Sequence, residues 1–326
     1  MNVLSLFNGM NTGRQALENV GIKVATYYSS EIKPYAIELT QYHFPDTIQV
    51  GDVTKWKDWD IDWKSIDLIL SGSPCQDLSI AGKRAGINGN KSSLFFVFVE
   101  ILEHIKCLNP KVLFLQENVG SASKLDVGIM SRALGVYPVR INSKLVTAQL
   151  RDRYYWSNIR TKETIFDIVT DIPQPKDKRI MFKDIITEGR VKRIKSVCLM
   201  EATIRAHDSE EPLSEKHQKY LKSRETPKNF ISLVYVDRDK HTCLNTGSGE
   251  VGHTQEYWIN RNNKKGMITL IYDEEIVRTV NKTEMCRLQG FPDNYCDILS
   301  IAKAGSLLGD GWTLPVIEHI FSFIII

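Results

Sequence analysis

The sequence of 326 residues lacks the features that mark secreted, membrane-spanning and zinc-stapled proteins. Its six cysteines are widely spaced and form no C-x-x-C pair, which excludes a disulfide scaffold and a zinc module and favours a reducing environment. No apolar run approaches the roughly 18 residues of a membrane span, and the amino terminus lacks the basic head of a signal peptide. We therefore expect a cytoplasmic protein that binds neither a metal nor a membrane.

The sequence also has little net charge and no repeated or low-complexity segment. Lysine and arginine total 42 against 39 aspartate and glutamate, and the formal charge of +3 is too small to indicate a nucleic-acid partner by itself. Residues 176–195 depart from this balance, with eight basic and three acidic side chains. At 42% hydrophobic and 25% charged residues, the composition excludes disordered, collagenous and coiled-coil classes.

Short β-rich apolar runs alternate with helical patterns from residue 1 to about 160, which predicts βαβ units around a parallel sheet. The predicted strands are Val3–Phe7, Val24–Ser29, Leu68–Ser71, Val112–Gln116, Leu145–Ala148 and Tyr154–Ser157. The predicted helices are Arg14–Val20, Tyr35–Tyr42 and Leu94–Ile105, and later Lys282–Leu288 and Pro315–Phe323 after a strand at Ile276–Val280. We infer an α/β, Rossmann-like protein with a doubly wound, mostly parallel sheet built from residues 1–159 and 276–326, into which a smaller, irregular domain is inserted at 160–275.

A glycine turn and two carboxylates are predicted at the carboxyl edge of this sheet, where nucleosides bind in such folds. The first strand leads into Phe7-Asn8-Gly9-Met10-Asn11-Thr12-Gly13, Glu31 ends the second strand and Asp52 follows the next. The turn is not a P-loop, because no Gly-Lys-Ser/Thr follows, and a nucleoside with little phosphate is the better interpretation. Turn glycines and solvated acids are the alternative that these residues alone leave open.

A cysteine is predicted in a loop at the same edge. Ser71-Gly72-Ser73-Pro74-Cys75-Gln76-Asp77-Leu78-Ser79 directly follows a strand, and a glycine-rich segment at 81–89 comes next. A nucleophilic thiol needs partial exposure and electropositive neighbours, whereas a structural cysteine is expected within a strand. The strand ending at Gln116 leads into Glu117, and Gln149-Leu150-Arg151-Asp152-Arg153 supplies two arginines on one side of an extended chain.

The chain resembles the cytosine-5 DNA methyltransferases from Phe7 to Ile317, except at 160–275. Four motifs recur in the family's order, namely SPCQ with Cys75, ENV with Glu117, Gln-x-Arg-x-Arg at 149–153 and Arg287-Leu288-Gln289-Gly290-Phe291-Pro292. The resemblance implies methyl transfer from S-adenosylmethionine, with S-adenosylhomocysteine as product. The acceptor would be carbon-5 of a cytosine flipped out of a specific double-stranded DNA sequence.

The resemblance assigns the catalytic roles to Cys75, Glu117, Arg151 and Arg153. Carbon-5 of cytosine is a poor nucleophile, so the cysteine would first add to carbon-6. Glu117 would hydrogen-bond the ring nitrogen and the exocyclic amine, and Arg153 with Arg151 would hold the base through charge-assisted hydrogen bonds.

The same resemblance implies an S-adenosylmethionine pocket. It consists of Phe7, Gly9, Asn11, Glu31, Ile32, Asp52, Val53, Pro74, Leu94, Asp310 and Trp312. Glu31 would bind the ribose and Asp52 would read the adenine. Asn11 stands where many members have glycine and Ile32 where tryptophan is frequent. Gly309-Asp310-Gly311-Trp312 replaces a frequent Gly-Asn-Ser-Val and is similar to the animal de novo branch.

The inserted segment corresponds to the target-recognition domain of this family. DNA contacts are implied for Gln76 and Ser79 beside the cysteine, and for Arg190, Lys192, Arg193 and Lys195 in the basic segment. A solvated surface is the alternative interpretation of such a charge run.

Other functions compete with this interpretation. A tRNA cytosine-5 methyltransferase would share the chemistry, but that branch usually has SPPCQ, where this chain has Ser73 before Pro74, and a Cys-Phe-Thr signature that 160–275 lacks. A non-catalytic DNA-binding homologue would usually lose the cysteine or the glutamate, and a nicotinamide dehydrogenase needs no nucleophilic thiol. The compact length favours a monomeric prokaryotic or phage modification methylase, acting in the nucleoid or in an infected host. A cognate restriction endonuclease is a functional partner in such systems.

Overall fold

The computed structural model describes residues 1–74, 94–189, 191, 194–196, 234–236, 276–278 and 280–325. Six predicted site residues lie outside these ranges, namely Cys75, Gln76, Ser79, Arg190, Lys192 and Arg193. The remaining predicted site residues belong to the described part.

A seven-stranded sheet forms the centre of the described structure. Its strands are β1 (Asn2–Leu6), β2 (Thr26–Ser30), β3 (Ile48–Gln49), β4 (Leu68–Ser71), β5 (Leu113–Val119), β6 (Val139–Asn142) and β7 (Asp152–Ser157). They lie in the order β3-β2-β1-β4-β5-β7-β6. The strands from β3 to β5 pair in parallel, and β7 is antiparallel to both β5 and β6. The predicted mostly parallel sheet is therefore confirmed.

Helices cover both faces of the sheet. They are α1 (Thr12–Asn19), α2 (Pro34–His43), α3 (Leu94–Leu108), α4 (Lys124–Leu134), α5 (Lys282–Gln289), α6 (Ile301–Asp310) and α7 (Leu314–Phe321). Two further antiparallel pairs are present, β8 (Thr161–Glu163) with β9 (Ile168–Thr170) and β10 (Val234–Val236) with β11 (Ile276–Arg278). No helix among the described residues is long and apolar enough to cross a bilayer.

The two faces bury separate apolar clusters. Because successive strand residues point to opposite faces, Val3 and Leu70 join a cluster with helices α1, α2 and α5 to α7. Leu4 and Ile69 join the other cluster, which contains the buried faces of α3 and α4. This is the doubly wound arrangement that the alternating sequence pattern predicts.

One predicted strand is wrong. Leu145–Ala148 was expected to be a strand, but the chain forms a single 3₁₀ turn at Ser143–Leu145, and the strand is Val139–Asn142. The Asn142 side chain accepts the Lys144 backbone N–H at 3.0 Å, which caps the turn and stops the strand. Val146 and Ala148 are still buried. The apolar residues at these positions are therefore explained by burial, and the segment does not pair as a strand.

The start of the predicted inserted domain packs against the sheet domain. Ile172, Phe182 and Ile185 belong to the same buried cluster as Leu70. The buried Glu284 carboxylate in α5 accepts the backbone N–H and the hydroxyl of Thr187, at 2.8 and 3.1 Å. The described residues thus attach the segment up to Thr187 to the sheet domain, and the boundary at residue 160 stays a prediction.

Gly290 provides a test of how α5 is joined to α7. Its φ of +79° is left-handed, and an added Cβ would lie 2.3 Å from Pro315 Cδ. Gly21 is the matched control, because its φ is +80° and nothing lies within 4 Å of its Cβ position. We expect Gly21→Ala to lower the free energy of unfolding by about 1–2 kcal/mol through backbone strain. We expect Gly290→Ala to cost about 1–3 kcal/mol more through overpacking, as measured by urea denaturation. Equal losses would show that Pro315 moves away without cost.

Candidate active site

The carboxyl ends of β1, β2, β4 and β5 meet at one edge of the sheet, because these strands are parallel neighbours. The turn after β1 reaches this edge through three left-handed residues, Phe7, Gly9 and Asn11, with φ of 55°, 57° and 62°. Such a φ is uncommon for residues other than glycine, and asparagine adopts it more readily than most. The backbone conformation explains why Asn11 can replace glycine here.

Glu31, directly after β2, has its carboxylate fixed by backbone groups. Oε2 accepts the Gly9 N–H at 2.8 Å, and Oε1 accepts the N–H groups of Ile32 and Lys33 at 2.8 and 2.9 Å. These bonds join the turn after β1 to the end of β2. A carboxylate offers about four lone-pair sites, so Oε2 retains one for a hydroxyl donor.

Ile32 directly follows Glu31, and Asp52 follows β3, the strand next to β2 in the sheet. Asp52 Oδ1 accepts the backbone N–H and the hydroxyl of Thr54, both at 2.9 Å, and this caps the 3₁₀ helix Val53–Asp58. Within the described ranges no donor contacts its Oδ2. The Ile32 side chain is 69% exposed, which leaves an apolar surface beside Glu31.

Glu117 lies inside β5, in register with Tyr155 of β7, and is 8% exposed. Its Oε1 pairs with Arg153 Nε at 2.8 Å, and its Oε2 accepts the indole N–H of Trp312 at 3.1 Å. Burial, and next the Glu117 charge, hold the pKa of the Tyr155 phenol above its usual value. Both carboxylate oxygens of Glu117 are therefore anchored, and each retains a lone pair for a further partner.

Gln116 joins this strand to the loop that continues into Cys75. Its Nε2 donates to Ser73 Oγ at 3.0 Å and to the Glu117 carbonyl at 2.7 Å. Ser73 and Gln116 are both buried. The described start of the cysteine loop is thus fixed next to Glu117.

A turn formed by Gly309–Thr313, which connects the last residues of α6 to α7, carries Trp312 to the site. The buried Arg151 guanidinium donates to the carbonyls of Gly309 and Gly311 at 3.0 and 2.8 Å. Thr313 Oγ1 donates to Gln289 Oε1 at 2.8 Å and accepts the Ser143 hydroxyl at 2.9 Å. The turn is held by side chains from three separate parts of the chain.

The two predicted catalytic arginines have different partners. Arg153 contacts Glu117, whereas Arg151 binds the carbonyls of the Gly309–Thr313 turn. Asp310, in the same turn, forms an ion pair with Lys33 at 2.9 Å. Direct contact of Arg151 with a base stays a prediction, and its observed contacts are those of a residue that shapes the turn.

The side chains of Asn11 and Lys195 both lie against other parts of the protein. Asn11 is fully buried, and neither polar atom of its side chain has a partner among the described residues, so its side chain does not line an open pocket. The Lys195 ammonium donates to the carbonyls of Lys144, Thr147 and Ile180. Desolvation by burial lowers the pKa of Lys195. Its three donors are used inside the protein, and a contact of Lys195 with DNA stays a prediction.

The other predicted pocket residues flank the same edge. Val53 is buried, and Phe7, Pro74 and Leu94 are half-buried. Phe7, Val53 and Leu94 pack into the apolar cluster around Leu4. Their contact with a cofactor stays a prediction.

Several contact residues at the site were not predicted. They include Lys33, Gly72, Gln116, Gln289 and Thr313. Gln289 lies within the motif at 287–292, and this is the one sequence feature that indicates it. The other four have partners distant in the chain, which spacing alone does not indicate.

Solved structures with this architecture match nearly the full length of the chain. A DNMT2 mutant from Spodoptera frugiperda superposes with a TM-score of 0.58 at 17% identity, covering 99% of each chain. The Entamoeba histolytica methyltransferase EhMeth gives 0.62 at 15% identity, covering 99% of this chain and 97% of that one. The chain therefore has the fold of the S-adenosylmethionine-dependent methyltransferases.

A family model of the C-5 cytosine-specific DNA methylases matches residues 1–325, and the chain belongs to this family. M.HpaII, a type II methyltransferase of Haemophilus parainfluenzae, is 28% identical over 97% of this chain and 86% of its own length. M.SPRI, an orphan methyltransferase of Bacillus phage SPR, is 32% identical over 58% of this chain. That second match spans 43% of the phage protein. The predicted family, and with it the enzyme class, are confirmed.

Arg151 allows a test of the Gly309–Thr313 turn. A lysine at this position has no planar fork and cannot satisfy both carbonyls, so we expect Arg151→Lys to lower the free energy of unfolding by about 1–3 kcal/mol. Arg160→Lys is the control, because Arg160 pairs with Asp171 with side chains 48% and 41% exposed, and we expect a change below about 0.5 kcal/mol. Both are measured by urea denaturation, and similar values would remove the turn's dependence on the guanidinium.

Proposed function

We propose that this protein transfers the methyl group of S-adenosylmethionine to carbon-5 of a cytosine flipped out of a specific double-stranded DNA sequence. The observation that carries the proposal is the buried Glu117 carboxylate, anchored by Arg153 and Trp312. Gln116 links it to the loop that continues into Cys75. Membership of the C-5 cytosine-specific methylase family supports the same activity.

The residues that follow β2 and β3 fit a nucleoside methyl donor. The free lone-pair site on Glu31 Oε2 suits a ribose hydroxyl, and Asp52 Oδ2 is an acceptor for an exocyclic amine. The exposed Ile32 offers an apolar surface to a purine ring. When bound, S-adenosylmethionine supplies an electrophilic methyl group.

The chemistry begins with Cys75, which in this proposal adds as a thiolate to carbon-6 of the cytosine. Electron density then moves to carbon-5, and Glu117 donates a proton or hydrogen bond at the ring nitrogen so that negative charge does not accumulate. Carbon-5 takes the methyl group, a base removes its proton, and the Cys75 sulfur leaves from carbon-6. The products are 5-methylcytosine, S-adenosylhomocysteine and the free thiolate, and the carbon-5 proton is on the base.

Arg153 serves this sequence of steps by holding Glu117 in place. Its Nε contacts Glu117 Oε1, and its Nη1 donates to the Asp152 carbonyl at 2.8 Å, so the guanidinium has a fixed orientation. We assign Arg151 a positioning role through the Gly309–Thr313 turn. We assign DNA contacts to Gln76, Ser79, Arg190, Lys192 and Arg193 from the sequence.

The proposed biological role is DNA modification inside a prokaryotic or phage-infected cell. Relatives include both type II and orphan methyltransferases, so a paired restriction endonuclease is not required by the proposal.

The first test is transfer of labelled methyl from S-adenosylmethionine to mixed-sequence double-stranded DNA and, separately, to total tRNA. We expect label on DNA, and bisulfite sequencing then identifies the modified cytosine and its flanking sequence. Label on tRNA alone would establish the RNA methyltransferase alternative. Absence of label on both, with retained S-adenosylmethionine binding, would contradict the proposed activity.

Cysteine variants test the covalent step. Cys75→Ala should abolish transfer and the covalent complex with DNA that contains 5-fluorocytosine, because the carbon-6 nucleophile is lost. Cys107→Ala is the matched control, since Cys107 is an exposed cysteine of α3 outside the site, and it should retain full activity. Near-normal transfer by Cys75→Ala would remove Cys75 from the mechanism.

A glutamine at position 117 tests the carboxylate. Glu117→Gln keeps the shape and loses the acid, so we expect single-turnover methyl transfer to fall by about 100-fold or more. Circular dichroism and DNA binding check that the variant is folded. A normal rate would contradict the role of Glu117.

A further inference from the structure

The indole of Trp312 is held in one orientation by its surroundings. It lies against Gly72, where an added Cβ would approach Nε1 to 2.8 Å and Cε2 to 3.3 Å. The preceding Gly311 is packed so closely on Met10 that its own Cβ would lie 2.7 Å from Sδ. There is no room for a side chain at Gly72 or Gly311, so the ring lies directly on the residue that follows β4, and the backbone before it packs on Met10 of the turn after β1.

The backbone that carries Trp312 is equally constrained. Arg151 holds the carbonyls on both sides of Asp310, and Thr313 is hydrogen-bonded to Gln289. The indole N–H therefore points at Glu117 Oε2 because of a rigid frame, whose elements come from the start, middle and end of the sheet domain.

We propose that Trp312 is a positioning residue for Glu117, in addition to any contact it makes with the methyl donor. This inference rests on the proposed function, since it gives Glu117 a task that needs orientation. Arg153 fixes one carboxylate oxygen and Trp312 fixes the other, so the carboxylate plane cannot rotate. A carboxylate that must meet a ring nitrogen and an exocyclic amine together needs that plane to match the plane of the base.

Loss of the indole N–H frees one oxygen while leaving the Arg153 contact. In the Trp312→Phe variant the aromatic ring still covers Gly72, but Glu117 can turn about its remaining anchor. A hydrogen bond to a charged group is lost, so we expect kcat to fall by about 10–100-fold. KM for DNA and for S-adenosylmethionine should change less than about threefold, because the lost interaction acts on the reacting geometry.

A double-mutant cycle separates positioning from a general structural effect. If Trp312 acts through Glu117, Trp312→Phe should slow single-turnover transfer in the wild-type background and have little further effect in Glu117→Gln. Equal losses in both backgrounds would overturn the proposal, because they would place the action of Trp312 in the cofactor pocket or the fold. Unchanged kcat in Trp312→Phe would overturn it as well.

A spectroscopic measurement tests the contact without relying on activity. The chain has six tryptophans, and ¹⁵N-labelling gives each indole N–H a resonance, with Trp312 assigned by its loss in Trp312→Phe. Glu117→Gln should move the Trp312 resonance and leave that of Trp156, which donates to Ser131 at 2.9 Å in the core. An unmoved Trp312 resonance would overturn the inference even if methyl transfer is demonstrated. A moved resonance would support the contact even if transfer to DNA fails.

Discussion

The structure of the site depends on stabilising one buried carboxylate at the edge of a sheet. Glu117 sits within β5 and is 8% exposed, and a charge in that position is costly unless donors reach it. No donor comes from its own strand. Arg153 reaches it from the antiparallel neighbour β7, and Trp312 reaches it from the turn between α6 and α7. The single antiparallel neighbour of β5 and the carboxyl-terminal helices are therefore both needed at the same place.

This requirement accounts for the way the end of the chain closes the fold. Helix α7 packs beside α1, and Asn19 donates to Glu318 at 2.5 Å across that contact. The left-handed Gly290 lets α5 end against Pro315 at the start of α7. With α7 fixed at its start, the Gly309–Thr313 turn that leads into it has little freedom, and Trp312 is presented to Glu117.

Much of the sheet could be predicted because β1 and β4 are short, mostly apolar runs followed by turns that contain glycine. The strand β6 was not predicted, because Val139–Asn142 contains only two apolar side chains. It is a strand because it pairs with β7. Glu31, Asp52 and Glu117 could be placed at one edge from topology alone. Their partners could not, since Trp312 is 195 positions from Glu117, and Lys195 carries no signal that its ammonium binds carbonyls.

The spacing of the Gln-x-Arg-x-Arg segment explains which parts of the protein its side chains contact. Alternate residues of an extended chain point to one side, and each of the three long side chains reaches a different element on that side. Gln149 donates to the Leu288 carbonyl at the end of α5, Arg151 binds the Gly309–Thr313 turn, and Arg153 binds Glu117. One short segment therefore sets the relative positions of a helix end, a turn and a carboxylate that are far apart in sequence. Since Gly311 and Trp312 are adjacent, the anchors provided by Arg151 and Arg153 converge on the same indole–carboxylate contact from its two ends.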